Sequence, residues 1–266
     1  MKRVISILVC IAFILSVAVF NTAALDFDMD VSEYDERGTA YTIPELDGKY
    51  KTQGRTSVIN DILMIDHSAS GIEFTAKCKG NLYITFDASG LVTGDDGGCY
   101  FTVIIDGVKQ AREFCHITKT GETVFHLASD LSYGEHTFKI YRQTEITNGV
   151  VGIKSITLDG RLLDANNEDK LYIEFVGDSI TTAYGNLVLN ENVDSSLAGN
   201  PLYQDATQGY AYLTAKALDA DFSLVAQRGI GASVGWRSYT MQEMYTKLRY
   251  VNDKDTDYSF ERQADV

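Results

Sequence analysis

The sequence predicts an all-β sandwich of jelly-roll type followed by an incomplete α/β domain built on a parallel sheet. Three observations carry this expectation. Apolar and polar residues alternate in short runs over residues 25–163, the period of half-buried strands. After a polar linker at 164–170 the order becomes strand, helix, strand, helix, which is how a parallel α/β layer is written. That second part, residues 171–266, holds only two core strands, too few to cover a parallel sheet on both faces. Composition agrees with a folded globular chain: of 266 residues, 45% are hydrophobic and 23% charged. Tyr (16) and Gly (22) are abundant, which favours strands and turns. The formal charge of −14 opposes contact with nucleic acid or an anionic membrane surface.

The chain opens on an address. Lys2 and Arg3 precede an apolar run from Val4 to Phe20 that only Ser6 and Ser16 interrupt, and small residues follow at Thr22, Ala23 and Ala24. This is the order of a secretory signal at 1–24, cleaved after Ala24. The apolar run falls just short of the ~20 residues a bilayer needs, which weighs against an uncleaved anchor. The mature protein is expected to be secreted, soluble and free of the membrane. Cys10 leaves with the signal. Cys78, Cys99 and Cys115 remain, an odd number at spacings that fit neither a metal knuckle nor a redox pair, and they read as free buried thiols on strands.

Within the sandwich, Ile72, Phe74, Ala76 and Cys78 alternate with Glu73, Thr75 and Lys77. Leu82, Ile84 and Phe86 repeat the pattern after a turn at 79–81. Residues 100–105 run into Asp106-Gly107, a hairpin signal. Strands at 123–127, 137–141 and 153–158 complete the series, with further turns at 134–135 and 159–160. Residues 87–98 carry carboxylates and glycines but lack the ligand register of a calcium loop, so they read as a hairpin loop. All four histidines, His67, His116, His126 and His136, fall in this half, and His67 and His136 are expected to be structural. In the second part, 171–176 and 222–226 are short apolar strands, and 209–218 and 240–250 are helices. Residues 192–203 form a polar loop that could edge a cleft. Residues 264–266 look like the opening of a third strand, so the chain is expected to stop inside its second domain.

The chemistry concentrates at Gly177-Asp178-Ser179, where the first parallel strand ends. A serine hydroxyl is a poor nucleophile unless it is exposed, oriented and deprotonated by a neighbour. A tight glycine turn at the carboxyl end of a parallel strand exposes it where open α/β sheets place ligands. The Ser179 N–H can then point at a developing oxyanion. Asp178 reads as a cap of the turn rather than as the base. An ordinary strand-to-helix turn with a capping Asp or Ser makes the same pattern, so the residues alone leave both readings open. No GxGxxG, P-loop or HExxH occurs, and the chemistry proposed here needs no metal and no organic cofactor.

Residues 175–186, FVGDSITTAYGN, resemble the nucleophile block of the SGNH (GDSL) hydrolases, above all in the form found in carbohydrate esterase family 2. HSASGIEF (67–74), VIIDG (103–107), YRQTE (141–145) and GIKSITLDGRLL (152–163) are similar, in the same order, to segments of that family's sandwich. The resemblance implies a jelly roll followed by an SGNH domain with a flavodoxin-like parallel sheet. It also implies an esterase that removes O-acetyl groups from plant cell-wall polysaccharides such as xylan and mannan. Ser179 would attack the acetyl carbonyl, form an acetyl-enzyme and supply one oxyanion N–H. A glycine of the RGIG loop would supply another, with Gly229 the first choice and Gly231 the second; either also suits a plain turn. Tyr184 would line the cleft or pack under the turn. Trp236 would stack on a sugar ring or lie buried at a helix start. The partner implied is an acetylated polysaccharide or oligosaccharide.

The departures are as informative. The family's oxyanion asparagine, in a Gly-x-Asn-Asp block, and its catalytic histidine lie downstream of the matched segments, whereas every histidine here precedes Ser179. These residues are therefore expected to hold no general base and to be nearly inactive alone, since losing a base costs about 10⁴–10⁶ in turnover. Two rival readings stand beside this one. The sandwich could bind polysaccharide while the partial hydrolase layer is inert, or the chain could be an SGNH ester hydrolase of another substrate class, such as lipids or thioesters. The loops after Ser179 are polar rather than greasy, which disfavours a lipid substrate.

Overall fold

A computed structural model describes residues 38–94, 97–112, 115–188, 199–249, 256–260 and 262–266. The expected signal at 1–24, the first residues expected in the sandwich and most of the expected loop at 192–203 lie outside the described residues. Among the described residues ten strands join in one antiparallel sheet: β1 (Thr39–Thr42), β2 (Tyr50–Gln53), β3 (Ser57–Ile59), β4 (Ile62–Met64), β5 (Gly71–Leu91), β6 (Cys99–Ile105), β7 (Val108–Lys109), β8 (His116–Ile117), β9 (Glu122–Arg142) and β10 (Gly149–Leu162). The main path runs β3-β4-β10-β5-β9-β6-β7, with β1 on β10, β2 on β5 and β8 on β6.

The turns expected at 79–81, 134–135 and 159–160 are not turns. Each lies inside a continuous long strand and marks a break in pairing. Cys78 pairs with Gly160 of β10 on one side and with Gly134 of β9 on the other. Register shifts fall beside it, between Cys78 and Gly80 on β5 and between Leu158 and Asp159 on β10. Gly80 and Gly160 take φ of +71° and +153°. A glycine that permits positive φ serves a bulge as readily as a turn, and bulges bend and twist the strand that carries them. Because the breaks sit side by side, the sheet creases along one line and curls over a single core, consistent with a β-sandwich. Phe86, beyond the crease on β5, stacks on Phe101 of β6 at 4.8 Å and meets Phe125 edge-on at 5.8 Å. The Asp106-Gly107 hairpin is present as expected, with φ of +50° and +80° and Ile105 paired with Val108. Residues 87–91 belong to β5 rather than to the expected hairpin loop. Cys78, Cys99 and Cys115 are free and buried.

After residue 170 two parallel strands appear, β11 (Tyr172–Gly177) and β12 (Asp221–Ala226), paired from Tyr172↔Asp221 to Gly177↔Ala226. Helix α1 (Tyr210–Ala217) lies between them in sequence, and α2 (Met241–Tyr245) follows. The second helix is shorter than the expected 240–250. It starts on a capping box between Thr240 and Glu243, and it ends where Arg55 takes the carbonyls of Tyr245 and Lys247 at 2.6 and 2.8 Å. All of β12 is buried because it lies on the sandwich. Gly54 N–H donates to Phe222 O at 2.9 Å, and Tyr141 of β9 packs edge-on against Tyr212 and near Phe222. The other edge of β11 is met by the chain's last residues, with Asp265 N–H on Tyr172 O at 2.8 Å and Glu174 N–H on Val266 O at 3.0 Å. Among the described residues no helix is long and apolar enough to cross a membrane.

Candidate active site

At the carboxyl ends of β11 and β12 two loops face each other across an open cleft of about 610 Å³. One wall comes from Val176, Gly177, Asp178 and Thr181, the other from Ile230 and Gly231. The first loop turns as tightly as the sequence implied. A Cβ on Gly177 would stand 2.0 Å from Thr181 Oγ1, so only glycine lets the strand double back here. Asp178 caps the turn, its carboxylate accepting Ile180 N–H at 3.0 Å. Further turns continue the segment, with Thr182 N–H on Asp178 O at 3.1 Å and Tyr184 N–H on Ser179 O at 2.9 Å. Ser179 stands half-buried between two residues of the wall, Asp178 and Ile180, without itself lining the cleft.

The second loop is RGIG. Gly229 takes φ of +75°, and its carbonyl accepts the N–H groups of Trp236 and Arg237 at 2.8 and 3.1 Å. Gly231 lines the cleft, and a Cβ there would meet Val234 O at 1.9 Å, so the loop folds against its own backbone. Among the described residues the N–H groups of Ser179, Gly229 and Gly231, and the Ser179 hydroxyl, donate to no partner. Gly231 lines the cleft, and Ser179 and Gly229 adjoin residues that do, which puts backbone donors of the kind a developing oxyanion needs on both loops.

The other sequence-derived residues divide. Trp236 is 97% exposed, which overturns its reading as a buried helix start. Tyr184 packs under the glycine loop rather than lining the cleft, its hydroxyl accepting Arg228 Nη1 at 3.2 Å. Asn186, the last residue of the 175–186 block, clamps Asp205: its amide nitrogen donates to Asp205 O at 3.0 Å and its oxygen accepts Asp205 N–H at 2.9 Å. The four histidines are engaged in the sandwich. His67 is buried against Leu248 O at 2.7 Å, and burial lowers its pKa. His116 stacks on Tyr100, and burial followed by the charge of Arg112 pushes it down to about 4. His126 stacks on Tyr83. His136 bonds Asp106 at 2.7 Å and Ser132 O at 2.8 Å, the first of which chiefly raises its pKa. Among the described residues no group of three or more His, Cys, Asp or Glu side chains could hold a metal ion.

Sequence reasoning missed the contacts that dock these loops on the sandwich. Arg112 reaches the carbonyls of Pro201 and Gln204 at 2.7 Å each, and Lys109 pairs with buried Asp205 at 3.0 Å. Glu145 pairs with Arg228. The one signal for the last pair was the YRQTE segment, whose function its local pattern does not reveal.

Comparison with known proteins gives this arrangement a context. Residues 52–165 match the family model of the carbohydrate esterase 2 N-terminal domain. The chain is 33% identical over 147 residues to cellulase/esterase CelE of Acetivibrio thermocellus, covering 54% of this chain and 17% of that protein. It is 28% identical over 206 residues to acetylxylan esterase / glucomannan deacetylase of Cellvibrio japonicus, covering 76% of this chain and 53% of that protein. This chain thus spans about half of the second relative's length and less of the first's. Among solved structures, the fold is similar to the acetyl xylan esterase Est2A of Butyrivibrio proteoclasticus, with a TM-score of 0.69 at 24% identity over 80% of this chain and 56% of that one. It is also similar to a family two carbohydrate esterase from Cellvibrio japonicus, with a TM-score of 0.69 at 21% identity over 84% of this chain and 63% of that one.

Proposed function

We propose that this chain is a member of carbohydrate esterase family 2, whose N-terminal model matches residues 52–165, and that it is a secreted serine esterase that removes O-acetyl groups from plant cell-wall polysaccharides of the xylan or mannan type. The single observation that carries the reading is that the turn carrying Ser179 and the glycine loop form opposite walls of one cleft at the carboxyl ends of β11 and β12. In this reading residues 25–163 are the jelly roll and 171–266 the start of the SGNH layer, exported by the leader at 1–24. Ser179 Oγ attacks the acetyl carbonyl. The carbonyl oxygen gains charge and is met by the Ser179 N–H and by Gly229 or Gly231. Collapse expels the sugar alcohol and leaves an acetyl-enzyme, which water hydrolyses. Trp236, fully open beside the glycine loop, offers an indole face to the C–H face of a sugar ring. The proton of Ser179 needs a base, and the four histidines described here are held in the sandwich. In this reading the base and the oxyanion asparagine come, as the resemblance implies, from an Asp-x-x-His block and a Gly-x-Asn-Asp block, neither of which occurs in these residues.

The test follows from that division. Acetate release from acetylated xylan by the 266-residue chain is expected to lie about 10⁴–10⁶-fold below that of a polypeptide that also carries the Gly-x-Asn-Asp and Asp-x-x-His blocks. Ser179→Ala should abolish release in the longer form. Strong turnover by the shorter chain would sink the assignment. Polysaccharide binding with no acetate release in the longer form would leave a sugar-binding sandwich with an inert appendage.

A further inference from the structure

Residues 141–145, YRQTE, close β9 and hold the glycine loop from behind. β9 ends at Arg142, whose buried guanidinium bonds the carbonyls of Thr144 and Glu145 at 2.8 Å each and of Gly149 at 2.7 Å. The turn after the strand is thereby fixed. Gln143 O accepts Ala206 N–H at 2.9 Å, so the same turn lies against the parallel layer. It delivers Glu145, which is 0% exposed, to Arg228. Glu145 Oε2 accepts the Arg228 backbone N–H at 2.8 Å, and Oε1 faces Arg228 Nε at 3.0 Å. Arg228 immediately precedes Gly229. Its guanidinium runs on to Tyr184, lying 5.1 Å from the ring centroid with Nη1 donating to the hydroxyl at 3.2 Å. Tyr184 in turn donates its N–H to Ser179 O at 2.9 Å.

One buried carboxylate of the sandwich thus reaches both loops of the site through a single arginine. A buried charge persists in a fold only where it is paired and hydrogen-bonded, and the groups that satisfy Glu145 include the backbone and side chain of the glycine loop. Resting on the esterase reading above, we infer that Glu145 is a positioning residue: through Arg228 it sets the glycine loop against the Ser179 turn, so the sandwich helps to shape the oxyanion site. Glu145 touches no reacting atom. It acts by removing freedom from the residue next to Gly229, and small displacements of oriented groups are costly in catalysis.

The protein carries its own reporter, because Trp236 is the single tryptophan (Trp 1) and its N–H bonds Gly229 O at 2.8 Å. Glu145→Gln preserves shape and removes charge. The variant should speed amide exchange at Arg228 and Trp236 about ten-fold or more and lower Trp236 fluorescence anisotropy, while exchange at Leu224 and Val225 of β12 is unmoved. Unchanged exchange and anisotropy, or uniform acceleration of all amides, would overturn the proposal. If Glu145→Gln does not fold, Arg228→Lys shortens the reach to Tyr184 and removes the Nε contact, with the same outcomes required. In the longer polypeptide that completes the catalytic set, Glu145→Gln should lower kcat about 10–100-fold with KM within about two-fold, and Glu145→Asp should restore part of it. A loosened loop in an enzyme whose unmodified form releases no acetate would overturn the esterase reading and leave the positioning of the loop intact. Full turnover with a loosened loop would overturn the positioning role.

Discussion

A Cβ on Gly177 would stand 2.9 Å from Thr181 Cβ as well as 2.0 Å from its Oγ1, and Thr181 is itself buried and branched. Gly177→Ala should therefore cost about 1–3 kcal/mol in chemical denaturation and displace the Ser179 turn; a variant of unchanged stability would mean the turn relaxes freely. Two histidines give opposite signatures with pH. His116 is held down to about 4 in the fold against an ordinary 6.5, so the unfolded chain binds its proton first as pH falls. Its contribution is intact above 6.5 and is progressively lost toward about 4. His116→Phe keeps a ring on Tyr100 and removes that loss, so its thermal midpoint should gain on the unmodified protein at pH ~5 relative to pH ~7.5. His136 is raised above 6.5 by its bond to Asp106 and then by Ser132 O. Its contribution is full below 6.5 and fades as pH rises through the raised value. The midpoint gap between His136→Asn and the unmodified protein should be widest in mildly acid buffer and narrow in alkali. A gap independent of pH would contradict the assignment.

The crease across β10, β5 and β9 is built from residues that read locally as punctuation. Gly80 has no atom within 4 Å of a built Cβ, so Gly80→Ala meets only the strain of a φ of +71°, about 1–2 kcal/mol. Gly160→Ala adds backbone contacts, with Lys77 O at 2.3 Å and Cys78 Cα at 2.6 Å, and should cost distinctly more. Equal losses in urea titrations would show that the crease has room to move. The same residues show what was legible in the sequence. Alternation identified the strands because one face of each is buried, and the 103–107 hairpin was readable because its turn is local. Whether a glycine ends a strand or bends it depends on what lies opposite, and that is set by residues more than fifty positions away. The Ser179 turn was legible for the same reason as the hairpin, since Gly177, Asp178 and Ser179 adjoin in sequence. Glu145 and Arg228 were not, because they meet 83 residues apart. Trp236 reads in the sequence either as buried or as stacking, because hydrophobicity alone does not say which loop residue the fold leaves uncovered.

At the scale of the molecule, the parallel layer is fastened to the sandwich by buried charge as well as by the apolar cluster around Tyr141, Tyr212 and Phe222. Arg55 is the chief rivet. It makes two bonds of 3.2 Å to Glu174 on β11, and the rings of Tyr258, Tyr245 and Phe260 surround it at 4.1, 4.9 and 5.3 Å. Arg55→Met leaves Glu174 with only the Tyr245 hydroxyl and no cation, which should cost about 3–5 kcal/mol. Calorimetry should then resolve an early transition for β11 and β12 ahead of the sandwich, and Arg55→Met with Glu174→Gln should recover part of the loss. A single transition shifted as a whole would show that the two parts melt only together. Within the sandwich no such separation is available. β5 and β9 each run 21 residues without interruption through the crease, so neither leaf of this folded page owns its strands. Peeling one leaf open strips the other of its neighbours along the same two strands.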